Sequence, residues 1–326
     1  MLMTGCVRVA LIGAGNMGSF HARVLAQSER AELTLVVDPD RETAEPLAAR
    51  YGATWVPELA ETSRLDAVVV AAPTELHPSI GRRVLESGLP LLVEKPLADD
   101  VAHVTALIEL SSRLDIPLTC GLLERFNPAL MTALAIALEP RHVMTRRHSP
   151  YAPRIKTGVS SDLLIHDVDT VVRLADAEPD VVRGSFGFLH PGSDPDSEDV
   201  AEALLEYRTG LLANVSASRI GQYKVRTVSI AEVDRLIEVD IVRTSVTIYR
   251  HVLNEADPDG LNYRQQTILE IPALVSGREP LAAQLDHFLD LVEGRSDAGA
   301  ERATLLPPHR VVAQVRAQAL SVMENA

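Results

Sequence analysis

Two short groups of residues in this chain are of types that can move a proton beside a reacting oxygen. Glu94-Lys95-Pro96 follows an apolar run that ends at Val93, and a lysine is seldom buried without a task or a partner. Its ammonium could polarise a hydroxyl or carbonyl oxygen, or simply close an ion pair at a loop corner. The second group is Asp162-Leu163-Leu164-Ile165-His166-Asp167-Val168-Asp169. Residues 162, 166 and 169 stand at i, i+4 and i+7, on one face of a helix. Leu164, Val168, Val171 and Ala175 mark the opposite, core-facing stripe. Histidine titrates near neutral pH and can work as base and acid, although such a stripe is more often just solvated. As a metal shell the group is incomplete, lacking a cysteine or a second nearby histidine, so no metal is expected.

A third group binds rather than reacts. Gly13-Ala14-Gly15-Asn16-Met17-Gly18 follows the apolar run 7–12, opens a helix-like stretch at Asn16, and is followed twenty residues after Gly18 by Asp38, at the end of a second apolar run, 33–37. This is the pattern of a dinucleotide-binding βαβ unit. Gly13 permits the tight turn, Gly15 lets backbone approach a pyrophosphate, and Gly18 lets helix and strand pack closely. The helix N-terminus favours an anion. Asp38 would accept hydrogen bonds from the ribose hydroxyls and repel a 2′-phosphate, which favours NAD over NADP. Arg41 could swing toward a 2′-phosphate or stand solvated in the first turn of the next helix.

These groups need strands and helices to hold them. Short β-branched runs alternate with helical stretches to residue 120, the rhythm of a parallel, doubly wound sheet whose ligands lie beyond the carboxyl ends of its strands. Pro73, Thr74 and His77 follow one such strand; Pro73 and Thr74 could wall the nicotinamide ribose, and His77 could reach the cofactor or cap the next helix. Beyond Gly121, helical stretches at 128–138 and 159–175 precede strand-like runs at 181–188, 200–207, 211–218, 225–230, 236–240, 245–249 and 267–271, joined mostly by short turns. They predict a largely antiparallel open sheet, and helices at 280–293 and 308–323 close the chain. The fold class is therefore α/β, with a Rossmann domain at 1–120 and a substrate-binding and oligomerisation domain at 121–326. The acidic turn 190–199 lacks the central glycine and terminal glutamate of a calcium loop and reads as a solvated loop.

Composition excludes other classes. The net charge is −14, from 45 acidic against 31 basic residues, which opposes nucleic acid and anionic membrane surfaces as partners. Basic residues cluster only as pairs, Arg82-Arg83 and Arg146-Arg147, too short to track a phosphate backbone. No apolar run approaches a membrane span, and residues 1–12 lack the basic start of a signal peptide, so a cytoplasmic protein is expected. Cys6 and Cys120, far apart, are read as inert core thiols.

Taken together these residues resemble the Gfo/Idh/MocA family of sugar and polyol dehydrogenases. The glycine loop, Asp38, the 73–77 segment, Glu94-Lys95-Pro96, Gly121 with Glu124-Arg125-Phe126-Asn127-Pro128, and Asp162 to His166 run in the family's order over essentially the whole chain. The resemblance implies NAD held by Gly13, Gly15, Asn16, Met17, Gly18, Asp38, Pro73, Thr74, His77, Glu94 and Lys95. It implies catalysis by Lys95, His166 and Asp162 around the substrate carbon, with Arg125, Asn127, Asp162 and His166 binding substrate, and a homodimer or homotetramer. Residues 163–169 and Lys224-Val225-Arg226 look most like members acting at C3 of UDP-N-acetylglucosamine, although an aromatic residue usual near Arg219 is missing; an inositol, polyol or free sugar, a keto-sugar reduction, and a non-catalytic NAD sensor are the alternatives.

Overall fold

The computed structural model describes residues 5–60, 62–153, 155–253 and 265–324 and divides the chain into two units, 1–123 with 278–310, and 124–277 with 311–326. Residues 1–4 of the expected start lie outside the described residues.

Unit 1 is built on six parallel strands: β1 (Val7–Ile12), β2 (Ala31–Val37), β3 (Thr54–Val56), β4 (Ala67–Val70), β5 (Leu91–Val93) and β6 (Leu118–Cys120), in the order β3-β2-β1-β4-β5-β6. Every residue of β4 and β5 is buried, which is why these runs read as unbroken apolar stretches rather than alternating ones. The intervening helices are α1 (Asn16–Gln27), α2 (Arg41–Arg50), α3 (His77–Glu86) and α4 (Val101–Leu114). Asp40 and Asp100 cap α2 and α4 through their side chains.

The chain leaves unit 1 after Leu123 and returns to it over 278–310. Helices α7 (Pro280–Val292) and α8 (Ala298–Ala303) belong to unit 1. Leu281, Leu285, Phe288 and Leu289 of α7 join Leu25, Leu33 and Leu92 in one apolar cluster, and burying that face fixes where α7 packs. Arg30 pairs with Asp290 at 2.7 Å, and Thr119 donates to Glu301 at 2.6 Å. Helix α8, too short to show a clear period, had no counterpart in the sequence pattern. Cys120 is buried as expected; Cys6 is exposed, its thiol donating to the Glu29 carbonyl, because it precedes β1 rather than lying in it.

Unit 2 contains helix α5 (Pro128–Ile136), an eight-stranded sheet, helix α6 (Ile165–Ala175) and most of α9 (Leu306–Glu324). Its strands are β7 (His142–His148), β8 (Val181–Gly187), β9 (Val200–Glu206), β10 (Leu212–Ser218), β11 (Val225–Ala231), β12 (Leu236–Asp240), β13 (Ser245–Leu253) and β14 (Gln265–Glu270). The order is β14-β13-β12-β11-β7-β10-β9-β8, and every pairing is antiparallel except β7 with β10. β7, central to the sheet, has no counterpart among the strand-like runs of the sequence, because its Thr-Arg-Arg-His end carries charge where a strand signal would be apolar. In the structure Val143, Thr145 and Arg147 point inward and Met144 and Arg146 outward, so Arg146-Arg147 is not a surface pair. Among the described residues no helix is long and apolar enough to cross a membrane.

Phe288 is fully buried in the unit 1 core. Phe288→Ala should lower unfolding stability by about 3–5 kcal/mol, read by urea denaturation. A loss below about 1 kcal/mol would show that α7 is not part of that core.

Candidate active site

In unit 1 the glycines act through space. Gly13 has φ +101°, and a Cβ there would lie 2.5 Å from the Ala71 carbonyl oxygen, so the glycine loop is seated against the end of β4. A Cβ on Gly18 would collide with the Gly13 carbonyl, whereas at Gly15 it would meet nothing within 4 Å. That open space over an exposed N-cap residue is what an approaching pyrophosphate requires, and the residues present fit a dinucleotide. Asp38 closes the loop: its carboxylate accepts from Ala14 N–H at 2.8 Å and from Asp40 N–H at 2.9 Å. Arg41 is exposed, bonded to Glu45 and set over the Trp55 ring at 5.2 Å.

The loop that carries Lys95 is braced from several sides. Glu94 is buried; its Oε1 lies 2.8 Å from His21 Nε2 on α1, and its Oε2 accepts from Lys95 N–H at 3.2 Å. A Cβ on Gly121 would stand 2.7 Å from the same carboxylate. His77 is buried, with Nδ1 2.8 Å from the Pro96 carbonyl and Nε2 2.9 Å from the Ala72 carbonyl. Its ring thus joins the loops after β4 and β5. His309 Nε2 accepts from Leu97 N–H at 2.9 Å. Neither His21 nor His309 was singled out from the sequence, since a lone histidine on a helix carries no signal.

In unit 2 the 159–175 stretch is not one regular helix. Residues Ser160–Leu164 form a π-helical turn that runs into α6, and such turns are frequent at functional sites. Asp162 and His166 are half-buried, whereas Asp167 and Asp169 are fully enclosed. This corrects the single polar face: Asp169 pairs with Arg125 through two hydrogen bonds, 2.9 and 2.6 Å, in the interior. Arg125 is therefore engaged with α6, and Asn127, also buried, caps α5 by accepting from Ala129 N–H at 3.0 Å.

Asp167 anchors a larger network. The guanidinium of Arg147, 1% exposed, donates to both Asp167 oxygens at 3.1 and 2.8 Å and to Glu124 Oε1 at 2.7 Å. Arg226 reaches the same Glu124 oxygen at 3.2 Å. Burial pushes the Glu124 carboxyl up, but the charges of Arg147 and Arg226 outweigh it and hold it below its ordinary value. Burial dominates at Asp167 and raises it, with Arg147 opposing. Lys224, exposed at the rim, is held below the usual lysine range by the neighbouring Arg226 charge and then by burial. The acidic turn 190–199 is not wholly solvated: Asp199 is buried and accepts from the Leu189 and His190 N–H groups, both at 2.8 Å.

A braced strand-end lysine, a dinucleotide cradle and a histidine-bearing helix over an open sheet define a nucleotide-dependent oxidoreductase. The chain belongs to the Gfo/Idh/MocA family: residues 7–121 match its model described as an oxidoreductase family with an NAD-binding Rossmann fold, and 138–234 match its C-terminal domain model. It is 29% identical over 289 residues to the UDP-N-acetylglucosamine 3-dehydrogenase of Acidithiobacillus ferrooxidans, covering 88% of each chain. A solved structure of that enzyme superposes with a TM-score of 0.83, covering 95% of this chain and 96% of the other at 28% identity. The scyllo-inositol 2-dehydrogenase (NAD(+)) of Bacillus subtilis is 27% identical, covering 88% of this chain and 86% of its own. The chain is thus an NAD-binding oxidoreductase of the sugar and polyol dehydrogenase family.

Arg147→Met should cost about 3–5 kcal/mol at neutral pH, because it leaves Asp167 buried without its cation and Glu124 with Arg226 alone. The Asp167 carboxyl, already raised by burial, would then stand further above an unfolded value of about 4, and stability from a raised pKa is lost as pH rises. The deficit, measured by urea denaturation, should be larger at pH 8 than at pH 5. A deficit independent of pH would exclude the buried carboxylates as its cause.

Proposed function

We propose that this protein oxidises the C3 hydroxyl of a nucleotide-linked pyranose. The observation that carries the reading is the braced Lys95 loop: three histidines and Glu94 fix the backbone of a lysine at the carboxyl end of the buried strand β5, the rigidity a group acting on a reacting oxygen needs. Similarity over most of the chain to a UDP-N-acetylglucosamine 3-dehydrogenase supports the substrate class. NAD, when bound, accepts the hydride. Gly13, Gly15, Asn16, Met17 and Gly18 would hold its pyrophosphate and Asp38 its adenine ribose, with Pro73 and Thr74 beside the nicotinamide ribose. In this mechanism Lys95 Nζ polarises the substrate oxygen as it becomes a ketone. His166 takes the hydroxyl proton, and Asp162 holds a neighbouring hydroxyl or orients the imidazole. Arg125 and Asn127 serve substrate binding indirectly, by fixing α6 and α5. A second reading, an inositol dehydrogenase, is favoured by the similarity to inositol 2-dehydrogenases, including one from Rhizobium meliloti 29% identical over 232 residues.

Absorbance of reduced nicotinamide tests this directly. UDP- or dTDP-hexoses should reduce NAD far better than free glucose or myo-inositol, and Lys95→Ala and His166→Ala should each lower turnover at least ~10²-fold while leaving NAD binding nearly intact. A panel led by myo-inositol would favour the second reading, and near-normal turnover in His166→Ala would place the base elsewhere.

The Asp38 carboxylate stands where a 2′-phosphate would meet it, so NAD should bind at least ~10-fold tighter than NADP, or about 1.4 kcal/mol. Asp38→Ala should narrow that gap, and it should also weaken NAD itself because Ala14 N–H loses its acceptor. Calorimetric titration giving equal or tighter NADP binding to the wild type would reverse the assignment and point to Arg41.

A further inference from the structure

The π-helical turn that carries Asp162 is held by charged groups outside the proton-transfer machinery. Glu198, buried, accepts from Ser160 N–H at 2.8 Å and leaves no room for a side chain at Gly158. Arg316 of α9 donates to the hydroxyls of Ser160 and Ser161 at 3.1 and 3.4 Å. Arg219 completes the set. It follows β10 directly, its side chain is 3% exposed, and its Nη2 lies 3.5 Å from Asp162 Oδ2 while donating to the Thr157 carbonyl. Its own N–H donates to the Asp199 carbonyl at 2.9 Å, which fixes the start of the side chain as well as its end. The Asp162 side chain is 20% exposed, so the acid reaches solvent while the guanidinium behind it does not.

We infer that Arg219 is a positioning residue for the dehydrogenase reaction: it acts only through Asp162, by holding that carboxylate in one orientation on the π turn. The inference rests on the reading of Asp162 given above. A planar guanidinium tied at both ends limits the rotamers of a short acid far more than a solvated lysine would. A buried arginine that served only the loop at Thr157 would stabilise the fold equally whatever residue stood at 162.

A double-mutant cycle on the full chain separates these roles, with kcat read at saturating amounts of the sugar that wild type oxidises best. Arg219→Met and Asp162→Asn should each lower kcat about 10- to 100-fold, and the double variant should fall no more than about 3-fold below the worse single one. Arg219→Lys should recover part of the loss, and NAD affinity should stay within about 2-fold of wild type throughout. Losses that multiply in the double variant, or an unchanged kcat in Arg219→Met, overturn the inference. If Arg219→Met does not fold, Arg219→Lys takes its place: a loss that vanishes in the Asp162→Asn background supports positioning, and one that persists in full overturns it. A wild type that reduces NAD with no sugar fails earlier and differently, removing the dehydrogenase reading and this inference with it.

Discussion

The fixed point of unit 2 is one guanidinium without access to water. Arg147 must find acceptors in the interior, because an unpaired charge there would cost several kcal/mol, and it finds them in Asp167 of α6 and Glu124 at the start of the unit. Those bonds dictate structure in turn. Asp167 must face β7, which sets the rotation of α6 and so turns the adjacent His166 away from the core. Asp169, held by Arg125, repeats the constraint two residues on. A hydrophobic seam of equal area would stabilise α6 as well but would tolerate slippage, whereas bidentate arginine–carboxylate pairs fix register.

Unit 1 solves a different problem, since its inner strands β4 and β5 are apolar throughout and wholly buried. What needs specification is the set of loops beyond their carboxyl ends, where no ladder continues. Histidines do that work there: His21 and His77 bond the loops after β4 and β5 to α1 and to each other, and His309 holds the residue two places beyond Lys95. Imidazole suits the task because it is rigid, compact, and carries two polar atoms that can serve different chain segments.

Unit 1 was legible in the sequence because parallel strands bury both faces and glycine positions are dictated by sterics at a known spacing. The parallel, doubly wound sheet and the glycine–aspartate pair followed from local pattern. The return of 278–310 was not legible, since an amphipathic helix shows that it has an apolar face but not which cluster receives it. In unit 2 the sheet emerged from alternation except at β7, where alternation is written in arginines and a threonine. The pattern needed to find it, Val143, Thr145 and Arg147 inward, is invisible until the acids that neutralise Arg147 are known to lie opposite. The same ignorance of partners made 162, 166 and 169 look equivalent: the π turn and the arginines behind it leave Asp162 and His166 half-buried and draw Asp169 inside.

The charges at the rim of the Arg147 network bear on substrate choice. Glu124 is shared by Arg147 and Arg226, and Arg147 already has Asp167, so Lys224 and Arg226 have between them less than a full compensating charge; the Arg226 charge lowers the proton affinity of Lys224, and burial and then the Arg147 charge lower that of Arg226. This positive rim is set in a chain of net charge −14. An anionic ligand would be repelled by most of the molecule and attracted locally, a field that orients approach as well as strengthening binding, and one that salt weakens. A neutral cyclitol would feel neither effect. The rim is thus an energetic reason, independent of similarity to any relative, for the proposed substrate to carry its sugar on a phosphate.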